Sequence, residues 1–562
     1  MPRVVTEREA KIVTDILREF AQYTSRRAMT AAHCEEVAQL ILPTSRNTFF
    51  YQSYNTPGVK KTQQQVDATG ALALHRFCAI ADSLVTPRNM KWHGLQGDDY
   101  VMKDRASRLW FENTTKELFR QRYDADANFA AQNYNNWQSL GAFGNSVMYV
   151  DNFDNRWFGG GQGLRYKSVP FGQAFFGENH QGKVDRIIRW FRLTAYQAVQ
   201  KWGRDALPQQ LVAPLEQNSL WEYNFLHCVK PRGDDYDPDA LDHTSKPFAS
   251  YYVSVEGRCL MQKEGGYDRF PYAVSRYDQT PGECYGRGPA MLVLPSLKTL
   301  NAEKTTFLTQ GHRAASPVLL MYDDGIVGMD MRPGAMNKGG VNADGRPLVH
   351  TLPVGDIQIS IEMMQEERGI IDDVFLVSLF KVLSDHPNMT ATQVIELVNE
   401  KGMLVAPTLG RQHTEYVGGM VPRELDLMSD MGMLEPMPPR LREAMGAYEV
   451  TDTSPLAMAA KNGEAAGFFR MLSQLREIVN VTQDTSQLDR LDFDTAVPEI
   501  ARTQNVPERW IASDDAVIAK RQQRAQQQAK QEAIAAAPAE AAMIKARATA
   551  AKAESMMQPG LA

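Results

Sequence analysis

Between Pro295 and Ser384 the chain carries two long helical patterns separated by an insert full of turns. No other feature restricts the fold as much. Leu297, Leu300, Lys304, Phe307, Leu308 and Gly311 recur at three- and four-residue steps, which predicts one helix with a narrow apolar stripe. Lys298, Lys304 and Thr305 fall on its polar face, Pro295 kinks or restarts it, and Pro317 stops it. The insert, roughly 315–360, reads as short strands and turns with basic Arg332, Lys338 and Arg346. A second helix is predicted over about Ser360 to Ser384, through "DDVFLVSLFKVL". Pro387 breaks it, and Thr390 with Gln393 forms a capping box for a third helix, Ala391 to Lys401. Helices of about 25 residues reach nearly 40 Å at about 1.5 Å per residue. A hairpin that long has too little core of its own and gains stability by packing against copies of itself.

The flanking sequence changes texture twice. Residues 6–43 predict two helices, the first with Ile12, Val13, Ile16, Leu17 and Phe20 on one side, the second ending at Pro43. Residues 67–85 and 103–143 continue the helical pattern, the former with Leu72, Phe77, Ile80, Ala81 and Leu84 on one side. From "NSVMYVDN" to "SYYVSVEGRCLMQKEG", β-branched and aromatic runs between Gly, Asn and Asp turns predict strands. One short helix, "TAYQAVQKWG", interrupts them with a Thr cap and a Gly stop. The last fifty residues are Ala, Gln, Lys and Glu with no aromatic after Trp510 and no regular apolar stripe. That composition suits a solvated helix, a bundle that forms on oligomerisation, or disorder, and Pro538 divides it in two.

No constellation for chemistry survives inspection. "GECYGRGPA" places glycines before a helix start, yet a phosphate loop needs Lys-Ser/Thr after its last glycine. Here Gly286 and Gly288 lead to Pro289, which suits the first position of a helix, so the turn launches a helix. "FGGGQGLRY" fails the same test. Asp235, Asp237 and Asp239 begin a calcium-like spacing, but Ala240 and Lys246 stand where glycine and glutamate are needed. His227 and Cys228 alternate faces of a strand and do not share a metal. The ten histidines make no H-E-x-x-H, and the five cysteines make no C-x-x-C, which predicts free thiols in a reducing cytoplasm. No catalytic residue, metal or cofactor is assigned, and the chain reads as a non-enzyme. Neither a membrane span nor a secretory signal is predicted. A net charge of −6 argues against tight grip on nucleic acid by counterion release.

Several stretches together resemble the head-to-tail connector, or portal, proteins of short-tailed bacteriophages. They are "DATGALALHRFCAIADSLVTPRNMKW", "NFAAQNYNNWQSLGAFGNSVMYVDN", "VDRIIRWFRLTAYQAVQKWG", "HCVKPR" and "GECYGRGPAMLVLPSLKTLNAEK". The likeness spreads over most of residues 5–470 and fades past residue 500. It implies an α+β, mainly helical fold with an α/β wing, a helical-hairpin stem, a small β-containing clip and a C-terminal helical crown, assembled as a ring, usually dodecameric. Mapped onto this chain, the wing is 1–285, the first stem helix 286–314, the clip 315–359 and the second stem helix 360–384. The tunnel loop is 385–390, the wing's return helices 391–500 and the crown 501–562. Double-stranded DNA would pass, without sequence preference, by the tunnel-loop residues Asp385, His386, Pro387, Asn388 and Met389. Lys338, Arg346 and Lys381, with His386, are candidate lumen groups: negative walls with a few basic rings keep DNA centred and mobile. The resemblance implies terminase, capsid and scaffolding proteins and tail adaptors as partners, with no membrane. It also implies a place at one capsid vertex of the virion, and in the host cytoplasm during assembly. The alternative is another oligomeric virion adaptor, from tail or internal head, that conducts no DNA.

Overall fold

Alternating aromatic and β-branched residues build two antiparallel sheets between Asn145 and Arg276. The computed structural model describes residues 6–556, apart from 51–57, 63, 155–161, 209–219, 322–329, 331, 333, 339, 353–356, 379–404, 406, 408, 483–490 and 504–505. The chain is a mixed α+β protein that divides into two compact units. The first comprises 1–95, 113–436 and 449–467, and the second 96–112, 437–448 and 468–562.

In the first unit, β1 (His93–Gln96) pairs with β13 (Glu449–Asp452). β2 (Asn145–Asp154) lies between β3 (Gln162–Ser168) and β10 (Tyr272–Arg276). The larger sheet runs in the order β4 (Ala174–Glu178), β5 (Val184–Thr194), β6 (Glu222–Pro231), β7 (Phe248–Ser254) and β8 (Cys259–Leu260), with β9 (Gly265–Tyr267) also on β7. Period-two alternation sorts its side chains onto two faces. Ile188, Trp190, Leu226, Cys228, Tyr251 and Val253 meet Val13, Ile16 and Phe20 of the Glu7–Arg26 helix, with Ile12 and Leu17 at the edge. The predicted stripe is therefore the buried one, and Thr6 with Glu9 caps it as a capping box. On the other face Phe191, Phe225 and Tyr252 pack under the Ala195–Trp202 helix, which Thr194 caps and Gly203 ends at φ +84°. His227 and Cys228 do point to opposite faces.

The Thr69–Val85 and Phe129–Phe143 helices pack closely, because Gly141 lets Leu74 and Phe77 approach: a Cβ there would lie 2.7 Å from Leu74 Cδ1. The buried face of the former is Ala73, Leu74, Phe77, Cys78, Ala81 and Leu84; Leu72, predicted for that side, is exposed. Predicted as one stretch, 103–143 is two helices, Arg105–Arg122 and Phe129–Phe143.

The two rods are the Leu294–Ala315 and Ile357–Val374 helices, packed against each other. The second starts ahead of the predicted 360 and is interrupted inside the predicted 360–384, of which 379–384 lie outside the described residues. It gives way to a turn at Phe375–Leu376, with Leu376 at φ +63°, so that Phe375 can bury against Phe77 at 6.2 Å between ring centres. Between the rods, β11 (Leu319–Met321) and β12 (Val349–Thr351) form an antiparallel ribbon. The predicted 391–401 helix with its Thr390/Gln393 cap lies outside the described residues.

In the second unit, Arg108 pairs with Glu508 at 3.3 Å, and the Glu508 N–H donates to Glu112 at 3.0 Å. Its longest element is one helix, Asp514–Met556. Pro538, where a break is predicted, falls in 532–541, whose side chains are not described.

Candidate functional site

The glycine turn decides where the first rod starts. Gly144 ends the Phe129–Phe143 helix at φ +69°, and its backbone lies directly against Arg287 and Gly288. A Cβ on Gly288 would come within 2.6 Å of Gly144 N, and one on Gly286 within 2.7 Å of Gly144 O. The Asn145 side chain completes the clamp. Its Oδ1 accepts from Gly286 N and its Nδ2 donates to Gly286 O, both at 2.8 Å. The Arg287 N–H donates to Asp278 O at 2.7 Å. These N–H groups, which a phosphate cradle would need free, are spent on the fold. Pro289 then opens a one-turn helix, Pro289–Leu292, and Pro295 opens the rod after a break at Val293, as its position predicts.

The rod base is pinned to the N-terminal part of the first unit. Leu294, Leu297 and Leu300 are buried. Asn301 Oδ1 accepts from Val66 N at 2.8 Å, Lys298 reaches Glu36 at 2.8 Å, and Arg368 of the second rod reaches Asp67 at 2.9 Å. Past Leu300 the first rod buries no residue, and Leu308 is 44% exposed. On the second rod Met364 and Ile371 are buried, whereas Ile361, Met363 and Ile370 face outward. Glu303 is pushed above the ordinary glutamate range by partial burial and by Glu367 and Glu366. The 315–359 insert is barer still, with Val318, Leu320, Met321, Met336, Val341 and Leu352 all exposed.

Lys338 and Arg346 are exposed on that insert, away from any ion pair among the described residues. Arg332 pairs with Asp330 at 2.6 Å. Lys381, Asp385, His386, Pro387, Asn388 and Met389 lie outside the described residues.

Buried arginines, Arg276, Arg122 and Arg27 among them, escaped the reading of the sequence, because composition assigns charge to surfaces. Arg276, at the end of β10 just before the glycine turn, binds Glu178 and, at 2.8 Å, Glu415. Glu415 sits on a π-helical turn, His413–Val417, at the return of the chain from the second rod. Gln412 Nε2 donates to Arg276 O at 2.8 Å, so one residue ties the departure of the rods to their return. Burial disfavours the Arg276 charge, and the two carboxylates more than reverse that. Arg122 is wholly buried against Glu424, with Tyr166 on the same carboxylate and Nη1 donating to His93 Nε2 at 2.9 Å. Arg27 has no carboxylate. It donates to the carbonyls of Phe171, Ala174, Phe49 and Gly172 at 2.6–3.2 Å and lies 3.8 Å from the Phe175 ring centre. The one local signal was position: Arg27 caps a helix and Arg276 ends a strand, where a long donor can reach several carbonyls or carboxylates.

A cleft of about 660 Å³ beside the turn is lined by Tyr23, His33, Glu178, Cys284 and Arg287, among others. Glu178 is taken by Arg276 and Gln279, Glu283 by Arg287, and burial pushes the Cys284 thiol up to about 12. Among the described residues no group of three or more His, Cys, Asp or Glu could hold a metal. No described helix is long and apolar enough to cross a membrane. The arrangement positions and anchors a rod.

The described residues thus hold a β-rich region that leads into two packed helices joined by a small antiparallel ribbon. The family model for bacteriophage head to tail connecting protein matches residues 13–511, and the chain belongs to that family. It is 24% identical to a probable portal protein of Bordetella phage BPP-1 and 25% identical to the portal protein of Salmonella phage epsilon15. Each comparison covers 92% of both chains. These relatives bear out the portal resemblance and not the non-conducting adaptor.

Proposed function

We propose that copies of this chain close into a ring, of twelve subunits as in the resemblance, around a channel for double-stranded DNA. One observation carries the reading: the rods leave Leu308, Ile361, Met363 and Ile370 uncovered although their bases are firmly anchored. Met363 and Ile370, seven residues apart, share one side of the second rod, and exposed apolar side chains are stabilised when a neighbour covers them, at about 25 cal/mol per Å² of apolar area. Rods held side by side by neighbours enclose a hole.

In this reading the two helices are the stem, the 315–359 insert is the clip facing the motor or tail, and 385–390 is the loop that meets DNA. The 501–562 segment is the crown. The net charge of −6 is repeated in every copy around the ring, so passing DNA finds few phosphate contacts to hold it. Lys338, Arg346, Lys381 and His386 are the candidate lumen groups. Capsid, scaffolding, terminase and tail-adaptor proteins would dock around the ring at one vertex of the virion, after assembly in the host cytoplasm. ATP hydrolysis belongs to the separate terminase.

Electron microscopy and native mass measurement of the purified protein test this. The expected result is a ring with a central hole and a mass near twelve times 63.1 kDa. The triple variant Leu308→Asp, Ile361→Asp, Ile370→Asp should stay monomeric and folded. A wild-type protein that remains a monomer, or assembles without an opening, overturns the reading.

A further inference from the structure

The wing carries an unbalanced positive cluster. Arg189, His227 and Tyr252 form one cross-strand row on the face of the large sheet turned away from the Glu7–Arg26 helix. His227 stacks on Tyr252 at 4.0 Å, and its two ring nitrogens are taken by Tyr272 Oη at 2.6 Å and Ser250 Oγ at 3.0 Å. Burial holds it neutral. Arg189 beside it is 6% exposed, and its Nε is buried with no hydrogen-bond partner. The Lys201 ammonium lies 4.2 Å from the Tyr252 ring centre, and Lys167 of β3 is close enough to repel both cations. The neighbouring carboxylate, Asp151, already accepts from Tyr149 Oη at 2.7 Å and from Asn152 N at 3.0 Å. Three cations thus crowd one engaged carboxylate, in a chain that is acidic overall. On the same short helix as Lys201, Tyr196 is exposed.

The turn between β6 and β7 has the opposite character. Asp234, Asp235, Asp237 and Asp239 are exposed and make no ion pair among the described residues, while Tyr236 and Leu241 project beside them. Among the described residues no ion pair joins this turn to the cluster within one chain. A cyclic ring joins two different patches of each copy, so a cationic patch and an acidic patch on one subunit are the material of such a contact.

We propose that Lys167, Arg189 and Lys201 form a carboxylate-binding site that takes the acidic 234–239 turn of a second copy of this chain. The inference rests on the ring reading above. A compact cluster of three cations fits one or two carboxylates, whereas DNA needs a row of cations along its backbone.

The experiment uses the full-length protein and reads the protein concentration at which rings form. Lys167→Glu with Lys201→Glu, and separately Asp237→Lys with Asp239→Lys, should each raise it by about tenfold or more. Combining all four changes restores opposite charges and should bring it back to within about threefold of the wild type. The aspartates lie on an exposed turn, so their variant carries the test if the lysine variant melts early. Either reversal leaving ring formation unchanged, or the fourfold variant behaving as the sum of two defects, overturns the site while the ring stands. A wild type that never forms rings overturns both.

Discussion

The wing and the rods solve opposite problems. In the wing, three buried arginines are closed in by their own chain: Arg122 by Glu424, Arg276 by Glu178 and Glu415, Arg27 by four carbonyls. In the rods beyond Leu300, carboxylates face each other and apolar side chains face out. The wing carries its stability within one chain, whereas the rods defer theirs to whatever covers them. A monomer of this design keeps a firm wing and a loose hairpin, and assembly is felt mainly by the hairpin.

The largest expected effect breaks the wing. Glu424→Gln leaves Arg122 buried without its counter-charge, and such a loss costs about 3–5 kcal/mol. Chemical denaturation of the monomer should show it; a cost under about 1 kcal/mol would mean the pair adds little to the wing. Next comes the joint between the two regions. Gly288→Ala drives a methyl into the backbone at Gly144 N, 2.6 Å away, and into the carbonyls of Gly141 and Leu140 at 3.0 Å. Backbone cannot rotate aside as a side chain does, so a cost of about 1–3 kcal/mol is expected, together with fewer rings at equal concentration.

Acid should separate the regions by sign. His93 and His227 are held well below the ordinary histidine range by burial, so the folded wing refuses a proton that the unfolded chain accepts below about 6.5. Their contribution is intact above that value and is lost as pH falls, by up to about 1.4 kcal/mol per pH unit for each. Asp426, pushed up to about 6 chiefly by burial, works the other way from about pH 6 downward. Asp426→Asn should therefore steepen the acid loss in denaturation curves. Glu303 on the rod is also raised, so protonation favours the hairpin: its contribution is present at low pH and is lost as pH rises through the folded value. Glu303→Gln should mimic acid in the rods and leave the wing unchanged, as read by hydrogen exchange.

Which parts were legible follows from the same contrast. Period and punctuation found the rods, because Leu297 and Leu300 repeat at helical spacing and Pro289 and Pro295 mark the starts. They found the sheets, because runs rich in aromatic and β-branched residues, such as β5 and β6, are set off by Gly, Asn and Asp turns. They missed the turn at Leu376, since "DDVFLVSLFKVL" satisfies a helical period and only the contact of Phe375 with Phe77 diverts it. Arg122 and Glu424 lie about three hundred residues apart, and no local pattern pairs them. The glycine turn was read as a launch from what its sequence lacked; that Gly144 and Asn145 hold it required the third dimension.

The smallest effect tests the rods where nothing in their own chain constrains them. A Cβ on Gly311 meets no atom within 4 Å. Within a helix, alanine is more favourable than glycine by about 0.5–1 kcal/mol, through the entropy of the unfolded chain. Gly311→Ala should thus stiffen the monomer's first rod slightly, seen as slower hydrogen exchange near Gly311 with an unchanged wing. In the ring the same methyl meets whatever lies alongside. If a neighbouring rod approaches closely at this glycine, the variant forms rings less readily although its monomer is firmer. If ring formation improves in step with monomer helicity, the neighbour stands off at this level, and the contact between copies lies nearer the anchored base.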